Sequence, residues 1–294
     1  MAFFIKQLTI IGVGLIGGSL ARALKERDMV GEVVGVNRSR RSLDTAIELG
    51  VIDRATIDVV EGVKGATMVL VATPVRSIAR VLEDCIPGLN PGTVITDAGS
   101  VKGDIVEQCE KLLMPHDVHF IGSHPVAGTE HSGVASSFST LFEGSRTVVT
   151  PTKNSQQDAL ELVRLVWEAA GSKVEVMDPH HHDRVLAATS HLPHLMAYNI
   201  VNTLSDLEDD IRAEVFRYAS GGFRDFTRIA SSDPTMWRDI CLSNREAILD
   251  MLNRFRKDLD KLSVQIETGN EDALYGIFAR SKHTRERVLE ERKK

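Results

Sequence analysis

The residues that could carry chemistry lie in three short segments. The stretch Ser123-His-Pro-Val-Ala-Gly-Thr-Glu-His-Ser-Gly133 combines two histidines and a glutamate with glycines and a proline, and has no helical or strand periodicity. An imidazole titrates near neutral pH and can take a proton there. Loops held by a rigid scaffold carry much of binding and catalysis, so His124 is a candidate base. The segment Gly12-Val-Gly14-Leu-Ile-Gly17-Gly18 offers backbone N–H groups without obstructing side chains, which suits phosphate oxygens. In Ser190-His-Leu-Pro-His194, His191 and His194 are three residues apart and share one helix face. That pair has no third ligand at a useful spacing, so no metal site is expected. The triplet His180, His181 and His182 points in three directions on a helix and reads as surface.

The glycine segment follows an apolar strand pattern and opens a helix, the context in which G-x-G-x-x-G binds a dinucleotide. Gly12 is expected to permit the tight turn, Gly14 to let a pyrophosphate approach, and Gly17 to pack helix on strand. Leu15 and Ile16 belong to the same cofactor-binding set, as do Thr73 and Pro74 after a later strand. The ribose-reading position, about twenty residues on, is Asn37, followed by Arg38, Arg40 and Arg41. An acid there would bind the ribose hydroxyls and repel a 2′-phosphate. Asn37 can hydrogen-bond without repelling, and the arginines could pair with a phosphate. The expected cofactor is NAD, with NADP left open.

These segments need a scaffold, and the apolar pattern supplies one. Strands are predicted at Gln7–Ile11, Glu32–Val36, Thr67–Ala72, Thr93–Thr96, Val118–Ile121, Arg146–Thr150 and Lys173–Val176. Helices are predicted between them at Leu15–Lys25, Ser42–Leu49, Ser77–Asp84, Val101–Leu113 and Gln156–Ala169. Alternation of this kind implies right-handed crossovers and a doubly wound, parallel-rich α/β sheet. After Asp178 only helical periods remain: His180–Leu204 with a bend at Pro193, Arg212–Tyr218, Pro234–Thr268 as one helix, and Asp272–Glu291. The expected division is a dinucleotide-binding domain over residues 1–177 and an all-helical substrate and dimerisation domain over residues 178–294. So much amphipathic length predicts a homodimer with a helical interface.

Bulk composition narrows the classes. The 294 residues are 43% hydrophobic and 26% charged, as in an ordinary globular protein. A net charge of −6 gives no reason to expect a nucleic-acid or membrane partner. No apolar run reaches the length of a membrane span, and the N-terminus reads as a first strand and not as a signal peptide. Cys85, Cys109 and Cys241 are odd in number and widely spaced, which fits a reducing cytoplasm.

Five segments together carry a resemblance: GVGLIGGSLARAL (12–24), TDAGSVKG (96–103), GSHPVAGTEHSG (122–133), SHLPH (190–194) and GGFRDFTRIASSDPTMW (221–237). In that order, over nearly the whole chain, they resemble the prephenate/arogenate dehydrogenases of tyrosine biosynthesis. The resemblance implies a Rossmann domain, an all-helical dimerisation domain and an active site between them. It implies oxidation of a cyclohexadiene diacid with NAD(P), loss of carbon dioxide and formation of an aromatic ring. Within it, His124 would accept the ring hydroxyl's proton. Ser100, also read as the N-cap of the following helix, would hydrogen-bond toward His124 and the nicotinamide. Arg228 would grip a substrate carboxylate and His194 would face the substrate, whereas His191 reads as a packed histidine. Thr129, Glu130, Gly221 and Trp237 would bound the substrate pocket. Two alternatives stay open: a 3-hydroxy-acid dehydrogenase of similar architecture, and a non-catalytic dinucleotide-sensing dimer.

Overall fold

Short runs of β-branched residues alternate with amphipathic segments through the first half of the chain, and the computed structural model turns them into one open sheet. It describes residues 3–129 and 131–291. In chain order the elements are β1 (Ile5–Ile11), α1 (Leu15–Glu26), β2 (Val30–Val36), α2 (Arg40–Glu48), β3 (Arg54–Thr56), α3 (Val59–Val63), β4 (Met68–Val71), α4 (Ile78–Cys85), β5 (Val94–Asp97), α5 (Gly103–Leu113), β6 (His119–Val126), β7 (Arg146–Thr150), α6 (Gln157–Ala169) and β8 (Lys173–Val176). The helical part comprises α7 (Pro179–Leu186), α8 (Leu192–Ser205), α9 (Asp209–Arg217), α10 (Gly221–Thr227), α11 (Pro234–Ser243), α12 (Arg245–Glu267) and α13 (Glu271–Glu291).

The strand order is β3-β2-β1-β4-β5-β6-β7-β8, and every pair is parallel except β6–β7. The chain therefore reverses its direction of winding between β1 and β4, and the carboxyl ends of the strands at such a switch point are where open α/β sheets place their ligands. All four residues of β4 are buried, as a central strand covered on both faces must be. Ile10, Leu20, Leu24, Leu70, Ile121 and Trp167 belong to one continuous core. Residues 1–245 form one compact unit and residues 246–294 a second, built from α12 and α13. In that second unit, α13 buries none of its side chains.

Four sequence expectations need correction. The segment around His124 is not a loop at its start: β6 runs on to Val126, leaving β5 after Ile121 and pairing antiparallel with β7, His124 opposite Val148. Pro125 hides this strand. The N–H of Ser123 points away from β7, to Asp97 Oδ1 at 3.0 Å. Pro125 faces the same side two residues later, beyond the end of β5, where its missing donor breaks no ladder bond. The helix expected over His180–Leu204 is divided by a π-helical turn at Ala187–His191, just ahead of Pro193. The helix expected over Pro234–Thr268 is broken at Asn244, whose φ of −111° and ψ of 40° are not helical. Finally, Ser100 does not cap α5, which starts at Gly103. The N–H groups of Lys102 and Gly103 are instead taken by the Asp183 carboxylate, each at 2.8 Å.

Candidate active site

The site begins at the carboxyl edge of the sheet. After β1 the chain turns at Gly12, whose φ of +98° and whose position, with an added Cβ only 2.5 Å from the Ala72 carbonyl oxygen, both require glycine. At Gly17 a Cβ would lie 2.6 Å from Ile10 Cγ2, so this glycine seats α1 on β1. At Gly14 a Cβ would meet nothing within 4 Å, which leaves open space over the backbone. Gly14 caps α1 without a side chain, so the first-turn N–H groups, including those of Leu15 and Ile16, form an anion site at the positive end of the helix. Each glycine thus has the geometry a pyrophosphate cradle needs.

Asn37 follows β2, and its Nδ2 donates to Val13 O at 3.3 Å and Ser42 Oγ at 3.2 Å. Its Oδ1 is left to accept from a ribose hydroxyl. Arg38 is exposed beside it, and Arg40 pairs with Asp44. Thr73 and Pro74 follow β4, with Ser77 Oγ donating to Thr73 Oγ1 at 3.0 Å. Residues of these types, on this edge, fit an adenine dinucleotide.

His124 lies on the same edge, on β6, 8% exposed. Its Nδ1 is 2.9 Å from His182 Nε2, and His182 Nδ1 is 2.8 Å from Asp183 Oδ1. Beneath it, Lys102 and Asp97 form a fully buried ion pair. Asp97 Oδ1 also accepts from Ser123 N, and Oδ2 from Gly99 N. Burial is the main reason His124 titrates well below the usual histidine range; His182, Lys102 and His191 push the same way. His182 is lowered too, by burial, against the opposing pull of Asp183. The result is a neutral imidazole at neutral pH, able to accept a proton.

The helical side faces this edge through α7, which packs on α5 and β7, and through α11, which packs on the turn Val75–Ser77 after Pro74. His191 is buried, with its Nδ1 3.1 Å from Asn244 Nδ2. His194 stacks on Trp237 with ring centroids 4.0 Å apart, and its Nδ1–H donates to Ser190 O at 2.8 Å. Burial lowers the His194 pKa, and the positive charge of Arg228 adds to this. Trp237 is 6% exposed, yet its indole N–H has no hydrogen-bond partner among the described residues. Arg228 opens the 3₁₀ turn after α10 and is exposed, as is Gly221 at the start of α10.

Of the residues singled out from sequence, His124, His194 and Arg228 lie within electrostatic reach of one another through His191, which lowers the pKa of His124 and is lowered by His194, itself lowered by Arg228. Trp237 joins them by stacking on His194. Ser100 is half-buried between β5 and α5, and no hydrogen bond joins it to His124 among the described residues. Thr129 is exposed and its hydroxyl accepts from His131 N at 3.2 Å. Glu130 lies outside the described residues. His182 corrects the surface reading of its triplet: it is fully buried, whereas His180 and His181 are exposed. Asp97, Lys102, Asp183 and Asn244 were missed altogether. One signal was available for the α7 pair. Asp178 followed by Pro179 is a helix start, and Asp178 does cap α7 by accepting from His181 N.

Comparison with known proteins agrees with this geometry. Residues 20–176 match the model of the prephenate dehydrogenase nucleotide-binding domain, and residues 178–280 that of the prephenate dehydrogenase dimerization domain. The cyclohexadienyl dehydrogenase of Zymomonas mobilis is 37% identical over 280 residues, covering 95% of both chains. The prephenate dehydrogenase of Bacillus subtilis is 36% identical over 280 residues, 95% of this chain and 75% of that one. The crystal structure of Aquifex aeolicus prephenate dehydrogenase in complex with hydroxyphenyl propionate and NAD+ superposes with a TM-score of 0.91 at 36% identity, covering 98% of this chain and all of that one. The glycine cradle, the buried imidazole and the helical half are thus parts of one known architecture, and the chain belongs to the prephenate dehydrogenase family.

Proposed function

We propose that this protein is an NAD-dependent oxidative decarboxylase of prephenate, of arogenate, or of both, acting in tyrosine biosynthesis. The observation that carries this reading is His124: a neutral, buried imidazole on the carboxyl edge of the sheet, one strand beyond Asp97 and on the same edge as the glycine turn. Bound NAD supplies the hydride acceptor. His124 Nε2 takes the proton of the ring hydroxyl, since Nδ1 is already engaged. The exposed guanidinium of Arg228 holds a substrate carboxylate, bidentate and charge-assisted. His194, stacked on Trp237, faces the ring, and the unpaired indole N–H of Trp237 is a donor for a substrate oxygen. Gly221 and Thr129 border the pocket, and Ser100 turns its hydroxyl to the nicotinamide. Loss of carbon dioxide then follows from aromatisation, with no metal as electron sink.

NAD is favoured over NADP because both N–H groups of the Asn37 amide are already donated inside the protein. Its remaining Oδ1 suits a hydroxyl donor and opposes a phosphate oxygen. We assign residues 1–177 to the dinucleotide and residues 178–294 to the substrate and to a second copy of the chain. Exposed Phe216, Tyr218, Phe226, Tyr275 and Phe278 support a homodimer through the helical half. A sedimentation profile of monomers at micromolar concentration would overturn that assembly. Three free cysteines fit a cytoplasmic setting, and no helix among the described residues is long and apolar enough to cross a membrane. Incubation with prephenate or arogenate and NAD+ should release carbon dioxide and reduced cofactor in equal amounts. Absence of turnover with both substrates would overturn the assignment, and turnover of a 3-hydroxy acid alone would restore the other dehydrogenase reading.

A further inference from the structure

We propose that His182 and Asp183 are positioning residues that lock His124 in a single tautomer, with Nδ1 protonated and Nε2 bare. This rests on the reading of His124 as the base. The argument starts at the carboxylate, which has only acceptors. Asp183 Oδ1 is 2.8 Å from Lys102 N and 2.8 Å from His182 Nδ1, and Oδ2 is 2.8 Å from Gly103 N. Two of these partners are main-chain N–H groups that cannot titrate, so the carboxylate is held in place and His182 must offer it Nδ1–H. A neutral imidazole has one N–H, so His182 Nε2 is an acceptor. That atom lies 2.9 Å from His124 Nδ1, which must then be the donor. His124 Nε2 is left as a lone pair, the only ring nitrogen able to take a proton from a hydroxyl.

The lock is rigid from every side. Asp183 supplies the cap that α5 lacks, so α7 and α5 are fixed together at the atoms that set the tautomer. The Asp183 carbonyl accepts from Asn244 Nδ2 at 2.8 Å, which ties the same residue to the break after α11. All three members are at least nine-tenths buried, so water does not compete for the ring nitrogens. When His124 is protonated at Nε2, its Nδ1–H bond to His182 needs no rearrangement. The opposite tautomer would present a donor to the substrate hydroxyl and could accept nothing.

The test is the tautomer itself, read by long-range proton–nitrogen NMR correlations on the full chain labelled in its histidines, with His124→Asn to assign the resonances. The wild type at neutral pH should show His124 protonated at Nδ1. The perturbation is made at His182, because an asparagine at 183 would set its NH2 against the N–H of Lys102 or of Gly103 in either orientation. The variants are His182→Gln and His182→Leu. Leucine offers His124 Nδ1 no acceptor, so an Nε2–H tautomer should appear and turnover should fall with KM for the substrate little changed. Glutamine keeps an acceptor for His124 Nδ1–H and should stay within about tenfold of wild type, whereas leucine should lose about 10²-fold or more. An Nε2–H tautomer in the wild type, or equal losses for glutamine and leucine, would overturn the lock. If instead His124→Asn keeps its turnover, the base assignment fails, whatever the tautomer.

Discussion

Acidification should destabilise this protein before its carboxylates titrate, and His191 sets the scale. His191 is 1% exposed, and its Nδ1 faces the Asn244 Nδ2 amide at 3.1 Å. The same NH2 group donates to the Asp183 carbonyl at 2.8 Å, so it faces His191 as a donor too. Protonating His191 would set donor against donor in a dry site. Burial accordingly pushes its pKa from 6.5 down to about 4, against the opposing attraction of Asp183. Between those values the unfolded chain binds a proton that the folded chain refuses, so stability falls as pH falls from 6.5 toward 4. The linkage amounts to about 2 kcal/mol by pH 5 and about 3 kcal/mol in full, at about 1.36 kcal/mol per pH unit. His124 and His182 are lowered in the same direction and steepen the loss. The assay is urea unfolding followed by circular dichroism at a series of pH values, on the wild type and on His191→Gln. Glutamine keeps an oxygen for Asn244 but does not titrate. The wild type should lose about 2 kcal/mol more than the variant between about pH 7.5 and pH 5. Parallel curves for the two proteins would refute the reasoning.

The catalytic predictions follow from the proposed roles. His124→Asn should bind substrate yet lose about two to four orders of magnitude in kcat, the size of a general-base contribution; near-normal turnover would remove it from that role. Arg228→Ala should raise KM for the substrate about 10- to 100-fold and change kcat much less, because a carboxylate contact worth about 1.5–3 kcal/mol is present in ground and transition states alike. A fall in kcat at constant KM would show that Arg228 acts only in the transition state. Steady-state kinetics with the two cofactors should give a higher kcat/KM for NAD than for NADP. Equal values would mean that Arg38 and Arg41 compensate a 2′-phosphate and that the Asn37 argument is incomplete.

What could be read from the sequence was set by local rules, and what could not was set by tertiary contacts. The turn at Gly12–Gly17 was legible because each glycine answers to backbone sterics within a few residues. His124 was legible by residue type but not by placement. Its proline neighbour masked a strand that exists only because β6 changes partner from β5 to β7. The π-helical turn before Pro193 and the break at Asn244 lie inside strong helical periods, and in the second case the side chain earns its position by bonds to His191 and Asp183 that no local pattern announces. His182 illustrates the limit most clearly. Three consecutive histidines point in three directions on α7, and which one meets β6 depends on how α7 docks on α5. The same docking moved the helix cap from Ser100, where sequence rules put it, to Asp183 about eighty residues away in the chain.

A crystal structure of the protein with NAD+ and hydroxyphenyl propionate, the ligand pair of the Aquifex aeolicus complex, bears most directly on the proposed chemistry. The phenolic hydroxyl should sit within hydrogen-bond distance of His124 Nε2 while the carboxylate of the same molecule pairs with Arg228. A complex in which either side chain faces away from that molecule would contradict the account.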